Sequence, residues 1–325
     1  MAQKILVTGG CGFIGSNFVR ALIAKTDWEV TNLDALTYAG NPANLAELEG
    51  NRRYSFVQGD IADGKLVSEL FARKRFGMVF NFAAESHVDR SIQSSAPFVH
   101  SNVVGTQVLL DAALKCKVGR FVQIGTDEVY GSASSGISFR EGDGLNPSSP
   151  YSASKAAADL LARSYFVTHG LPVVITRSSN NYGPYQHPEK FIPLAITNLL
   201  EGRKIPVYAT GQNVRDWLHV QDNCEGILAV ARKGKDGEIY NIGAGNEMQN
   251  VDVARKILAL MGSDGSSIDF IADRRGHDLR YSIDSSKARG LGWVPATGFD
   301  EGLAATVGWY RNNPGWYGPL KPDGA

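Results

Sequence analysis

Directly after the first apolar run, the residues Thr8-Gly9-Gly10-Cys11-Gly12-Phe13-Ile14-Gly15 constrain this chain more than any other stretch. The run before them, Lys4 to Val7, reads as a short buried strand, and the residues after them open a helical pattern. Gly10, Gly12 and Gly15, with Gly9 beside them, carry the spacing of a dinucleotide-binding turn. Glycine permits the tight bend and lets backbone N–H groups and the positive helix end approach a pyrophosphate that a side chain would obstruct. Asp34, nineteen residues beyond Gly15, closes the next strand-like run. A carboxylate there accepts hydrogen bonds from the adenosine ribose hydroxyls, which favours NAD over NADP. The bland reading is a turn built for tightness alone, followed by an ordinary strand-end aspartate. Asp60, after the third strand, is placed to meet the adenine or simply to face water.

Further runs repeat the pattern. Val30 to Leu33, Tyr54 to Val57, Met78 to Phe82, Phe121 to Ile124 and Val173 to Thr176 are short and apolar, with helical segments between them. Such strands imply an α/β fold, a doubly wound parallel sheet of the Rossmann type covered on both faces, with ligands at the strand C-terminal ends. After about residue 178 the alternation breaks into Pro- and Gly-punctuated pieces, with helical patterns near Phe191 to Glu201, Val251 to Leu260 and Gly302 to Asn312. We therefore divide the chain into an NAD-binding part, 1–178, and a smaller C-terminal substrate-binding lobe, 179–325. A strand-like stretch, Glu238 to Ile242, is expected to rejoin the main sheet.

Thirty-three basic residues cancel thirty-three acidic ones, so no global charge points to nucleic acid or to a membrane surface. No apolar run reaches transmembrane length, and no cationic segment with a long apolar stretch opens the chain. Cys11, Cys116 and Cys224 lie far apart and match no metal spacing, which suits a reducing cytoplasm and gives no metal site.

Two groupings carry chemistry. Tyr151 and Lys155 stand four residues apart at the start of a helical pattern, on one face. A neighbouring ammonium and a charged nicotinamide would favour the tyrosine phenolate, making it a base toward a sugar hydroxyl, although such a pair is also common helix surface. Thr126-Asp127-Glu128 follows the Phe121 to Ile124 run at the edge where active sites form. Eliminating water needs one group to remove a carbon-bound proton and another to protonate the departing hydroxyl, and adjacent carboxyls meet that need better than hydride transfer alone would require. A solvated acidic turn is the alternative.

With these motifs the chain resembles the extended short-chain dehydrogenase/reductase superfamily and, within it, the dTDP-glucose 4,6-dehydratases. The resemblance spans nearly the whole chain. It is carried by Leu36-Thr37-Tyr38-Ala39-Gly40-Asn41, Ala83-Ala84-Glu85-Ser86-His87-Val88-Asp89-Arg90-Ser91, Thr126-Asp127-Glu128-Val129-Tyr130-Gly131, Ser149-Pro150-Tyr151-Ser152-Ala153-Ser154-Lys155 and Asn180-Asn181-Tyr182-Gly183-Pro184-Tyr185. The acidic pair separates dehydratases from related epimerases.

The resemblance implies dehydration of dTDP-glucose to a 4-keto-6-deoxy sugar nucleotide. Tyr151, assisted by Thr126, takes the 4-hydroxyl proton; Lys155 holds the ribose and tunes Tyr151; Glu128 takes the C5 proton and Asp127 protonates the 6-hydroxyl. It also implies NAD contacts at Phe13, Ile14, Asp34, Asp60, Ile61, Ala83, Ala84, Ser101 and Asn181, beside Gly9, Gly12 and Gly15. Substrate contacts follow at Ser86, Asn180, Lys190, Arg215, Asn250, Arg274 and His277, with Pro206 and Tyr208 near the nucleotide. Read locally, the alternative for Arg215 is a surface ion pair. Arg275 stands where many relatives have proline. A homodimer through helices near Pro97 to Cys116 and Ser152 to His169 is the family expectation. The competing functions are a sugar-nucleotide 4-epimerase and a non-catalytic NAD-binding sensor.

Overall fold

Strands that are apolar on both faces are satisfied only inside a sheet covered twice, and the computed structural model, which describes residues 2–321, places them in one. Strands β1 (Lys4–Thr8), β2 (Glu29–Asp34), β3 (Tyr54–Gln58), β4 (Met78–Asn81), β5 (Arg120–Thr126) and β6 (Val173–Ser178) lie parallel. The chain then makes β7 (Asn180–Tyr182), β8 (Ile205–Tyr208) and β9 (Val214–His219) before β10 (Ile239–Ile242) returns to pair with β6. The order across the sheet is β10-β6-β5-β4-β1-β2-β3.

Period-two alternation sends neighbouring residues into different cores. Ile5, Val7, Phe80 and Val122 pack on one face, with the Phe13–Lys25 and Val220–Lys233 helices. Leu6, Val79, Phe121 and Val173 pack on the other, with Gly64–Lys74, Thr106–Lys115 and Pro150–His169. Fully burying one such side chain contributes roughly 1.5–3 kcal/mol.

Strand order reverses between β1 and β4, so the connections diverge there and leave a crevice at the strand C-terminal ends. Close approach of those two ends depends on Gly9, whose φ is +67° and where a Cβ would lie 2.7 Å from the Ala83 backbone.

A second core, built from Tyr182, Ile192, Trp217, Ile257, Leu303 and Tyr310, belongs to the later half. It surrounds two small sheets, one joining β7, β9 and β11 (Glu247–Gln249), the other β8 and β12 (Ile268–Ile271). The Phe191–Leu200, Asn250–Met261 and Phe299–Asn312 helices sit where the sequence periodicity puts them. The later half also returns more to the main sheet than β10: Val220, Cys224 and Ile227, from a helix the sequence pattern did not reveal, are buried in the first core together with Trp293. Among the described residues, no helix is long and apolar enough to cross a membrane.

Candidate active site

A cleft of about 320 Å³ opens at the crevice. Gly12 caps the Phe13–Lys25 helix without any side-chain hydrogen bond. The first-turn N–H groups, which have no partner within a helix, are therefore left to whatever the cleft holds. A Cβ on Gly15 would lie 2.2 Å from the Gly9 carbonyl oxygen, so only glycine keeps the turn this flat. This bare, positive helix end fits a dinucleotide pyrophosphate.

Asp34 ends β2 as expected, yet its carboxylate does more than await a ribose. Oδ2 accepts the Cys11 N–H at 2.8 Å and Oδ1 the Leu36 N–H at 2.8 Å. Burial pushes its pKa up, and these two bonds hold it down. The same group thus braces the glycine turn and lines the cleft. Asp60 lies two residues beyond the end of β3, accepts the Ala62 N–H at 2.8 Å and meets His100 at 3.0 Å, at an exposed edge of the cleft.

Tyr151 and Lys155 owe their placement to a helix start. Ser149 and Ser152 cap each other, side chain to backbone N–H at 3.1 Å in both directions, and Pro150 takes the first helical position. Such a box is worth about 1 kcal/mol and fixes the entry of the helix. Lys155 Nζ donates to the Ile124 carbonyl at 2.5 Å. Burial draws its pKa down to about 8, against the opposing pull of Asp159. Burial first, then the Glu128 charge, push the Tyr151 phenol well up, and Thr126 opposes them.

The two acids differ by environment. Asp127 is 3% exposed, and its Oδ2 has no partner. Burial, then the Glu128 and Asp216 charges, hold its carboxyl far above the usual range. Burial raises Glu128 too, but Arg274, Arg215 and Lys190 all pull it back toward the carboxylate. The two carboxyls are thereby set apart: cations oppose the rise at Glu128, whereas at Asp127 burial and two like charges act together.

Every residue nominated for the cofactor lines the cleft, as do Ser86, Thr126, Asn180 and Lys190. Arg215 is no surface ion pair: it is 4% exposed, donates to the Val214, Leu279 and Asp278 carbonyls and lies 4.1 Å from the Tyr281 ring centre. Arg215 and Arg274 adjoin the cleft through their charge on Glu128. Tyr208 and His277 pack edge to face at 5.7 Å. Pro206, on β8, the Tyr208 and His277 pair, and Asn250, which opens the Asn250–Met261 helix, lie outside the lining, although Asn250 Oδ1 is buried without a partner.

Sequence reasoning missed three contributors. Asn102 clamps the Glu85 backbone, by N–H and carbonyl, and reaches Ser154 Oγ at 2.8 Å. It sits in a π-helical turn, Val99–Gly105, that sequence periodicity does not announce. Glu189 lines the cleft between His87, Arg90 and Lys190. Tyr281 stands against Arg215 and within the field of Glu128. The last two lie in loops with no periodic signal.

The model of the GDP-mannose 4,6-dehydratase family matches residues 6–306. A dTDP-glucose 4,6-dehydratase of Actinoplanes sp. is 53% identical over 322 residues, covering 97% of this chain and 100% of the relative. The low-salt glycan biosynthesis protein Agl12 of Haloferax volcanii is 53% identical over 308 residues, covering 95% and 98%. Among solved structures, the dTDP-glucose 4,6-dehydratase DesIV of Streptomyces venezuelae, with NAD bound, superposes with a TM-score of 0.96 at 53% identity, covering 98% of this chain and 100% of that one.

Proposed function

The chain belongs to the GDP-mannose 4,6-dehydratase family of extended short-chain dehydrogenases/reductases, and on that premise we propose that it is the hydro-lyase converting dTDP-glucose to dTDP-4-keto-6-deoxyglucose. The unequal environments of Asp127 and Glu128 carry this reading to the chemistry. Bound NAD supplies an acceptor for the C4 hydride and a donor for C6, so none is consumed. Tyr151 takes the 4-hydroxyl proton as the phenolate that the positive nicotinamide of bound NAD would favour against the burial that opposes it, assisted by Thr126 beside it. Lys155 holds the nicotinamide ribose. The ketone acidifies C5, whose proton Glu128 removes while Asp127 gives its own proton to the 6-hydroxyl, which departs as water; Glu128 then returns its proton to C5 as C6 regains hydride.

Ser86 and Asn180 bind the sugar, Lys190, Arg215 and Arg274 the diphosphate, and Pro206, Tyr208, Asn250 and His277 the nucleoside end. Charged donors converging on Glu128 support the middle group. Residues 1–178 with β10 and the Val220–Lys233 helix form the NAD-binding part, and most of the remainder of 179–325 the sugar-nucleotide part. The protein works as a homodimer: Val99, Val104, Leu160 and Val167 are 41–68% exposed on the two helical segments expected at that interface. Three free thiols fit a cytoplasmic setting.

The test is product analysis of Glu128→Gln and Asp127→Asn with dTDP-glucose. Oxidation at C4 should survive while elimination slows about 10²–10⁴-fold, so that a 4-keto-glucose nucleotide builds up. Wild-type rates of 6-deoxy product in both variants would overturn the assignment.

A further inference from the structure

Beneath the floor of the cleft lies a charge that this reaction scheme leaves unused. Asp159 stands one turn beyond Lys155 on the Pro150–His169 helix, is 1% exposed and does not line the cleft. Its carboxylate packs on β5 at Gly125, where a Cβ would lie 3.0 Å from Oδ1 and 3.1 Å from Oδ2. The carbonyl just before, Ile124 O, holds the Lys155 amine at 2.5 Å. One peptide unit therefore carries the ammonium on its carbonyl and has the carboxylate packed on its following Cα, without a direct ion pair between the two, and the next residue is Thr126.

Burying a carboxylate is costly unless cations repay it. Arg177, from β6, pairs with Asp159 Oδ2 through Nε at 2.9 Å. The pair is not closed on itself: Asp159 Oδ1 and Arg177 Nη1 both lack hydrogen-bond partners. Lys155 is the other cation acting on the carboxylate.

We propose that Asp159 is a positioning residue whose buried carboxylate is the counter-charge that keeps the Lys155 ammonium seated at the Ile124 carbonyl and available to the cofactor ribose. This rests on the reading of Lys155 as a working cation. Burial lowers the amine to about pKa 8, and Asp159 is the charge that supports it. Arg177 acts on the carboxylate and not on the amine. Tyr130, from the turn after β5, faces Arg177; Asp127 and Glu128 act on Tyr151; Asn102 and Thr106, across the helix pair, are neutral.

Without the carboxylate the ammonium loses its proton at lower pH, so the limb on which activity falls with rising pH moves down. The experiment is the pH profile of kcat of the NAD-loaded enzyme for Asp159→Asn and for Asp159→Asn/Arg177→Met, the second leaving neither buried charge unpaired. In both, kcat near pH 8 should fall roughly tenfold for each unit the limb moves and recover toward about pH 6, with KM for dTDP-glucose little changed. A folded double variant with the wild-type profile, or an equal loss at every pH, overturns the proposal. Lys155→Met separates the two readings: if it is inactive throughout, such a failure lies with Asp159 alone; if it stays active, the role of Lys155 falls and the proposal with it.

Discussion

Asp34→Ala removes the acceptor of two backbone N–H groups, at Cys11 and Leu36, each bonded at 2.8 Å. Net contributions of hydrogen bonds to a charged group are about 1.5–3 kcal/mol each, so the pair is worth roughly 3–6 kcal/mol. This is an upper bound, because burial disfavours the ionised carboxyl that makes the bonds. A typical fold has only about 5–15 kcal/mol to lose. At roughly 2 °C per kcal/mol for a long chain, Tm should drop about 6–12 °C. The measurement belongs on cofactor-stripped protein, where lost NAD cannot account for the change. Asp34→Asn keeps one acceptor and turns an amide donor toward the other N–H, so about half the loss is expected. NAD should then raise the Tm of either variant less than that of wild type, since the ribose contact is weakened as well. A stripped Asp34→Ala protein that melts with wild type would refute the bracing role and leave the residue to the ribose alone.

Gly15→Ala forces a methyl group to 2.2 Å from the Gly9 oxygen and should yield folded protein lacking NAD, read from its absorbance ratio after purification. Tyr151→Phe should keep NAD and substrate binding but lose turnover by at least about 10²-fold, and a smaller loss means another base acts at the 4-hydroxyl. His87 accepts the Arg90 N–H through Nδ1 at 3.4 Å, which needs the neutral ring, and burial lowers its pKa from 6.5 to about 4. The unfolded chain therefore binds the proton first, and stability falls as pH drops from about 6.5 to 4; His87→Asn, which preserves the cap, should show a shallower acid decline in denaturant midpoint. Val167→Glu, at a side chain 68% exposed, should shift the protein toward monomer in sedimentation, and an unchanged dimer would move the interface elsewhere.

How much could be read in advance depended on how local each cause was. The strands of the main sheet were legible because burial on both faces leaves continuous apolar runs, and β1 to β6 differ from those runs by a residue or two at their ends. The Val220–Lys233 helix was not, for its first turn is polar and Gly226 interrupts it. That glycine answers a distant neighbour: a Cβ would lie 2.8 Å from Ile242 and 3.0 Å from Trp293. The same holds in the site. Adjacent acids at Asp127 and Glu128 were visible as a pair, whereas the cations that favour ionised Glu128 come from residues 190, 215 and 274. Likewise the double duty of Asp34 appears only once the Gly-rich turn is folded over it.

The return of β10 to the edge of β6 sets an order on the making of this protein. Until residues 239–242 emerge from the ribosome, β6, buried along its whole length in the finished fold, is an open edge of unpaired N–H and carbonyl groups. Synthesis at roughly 5–20 residues per second leaves that edge bare for several seconds while residues 179–238 are built. Chains truncated in that interval should therefore stick to one another by strand pairing, and the first half alone will not serve as a stable NAD-binding fragment.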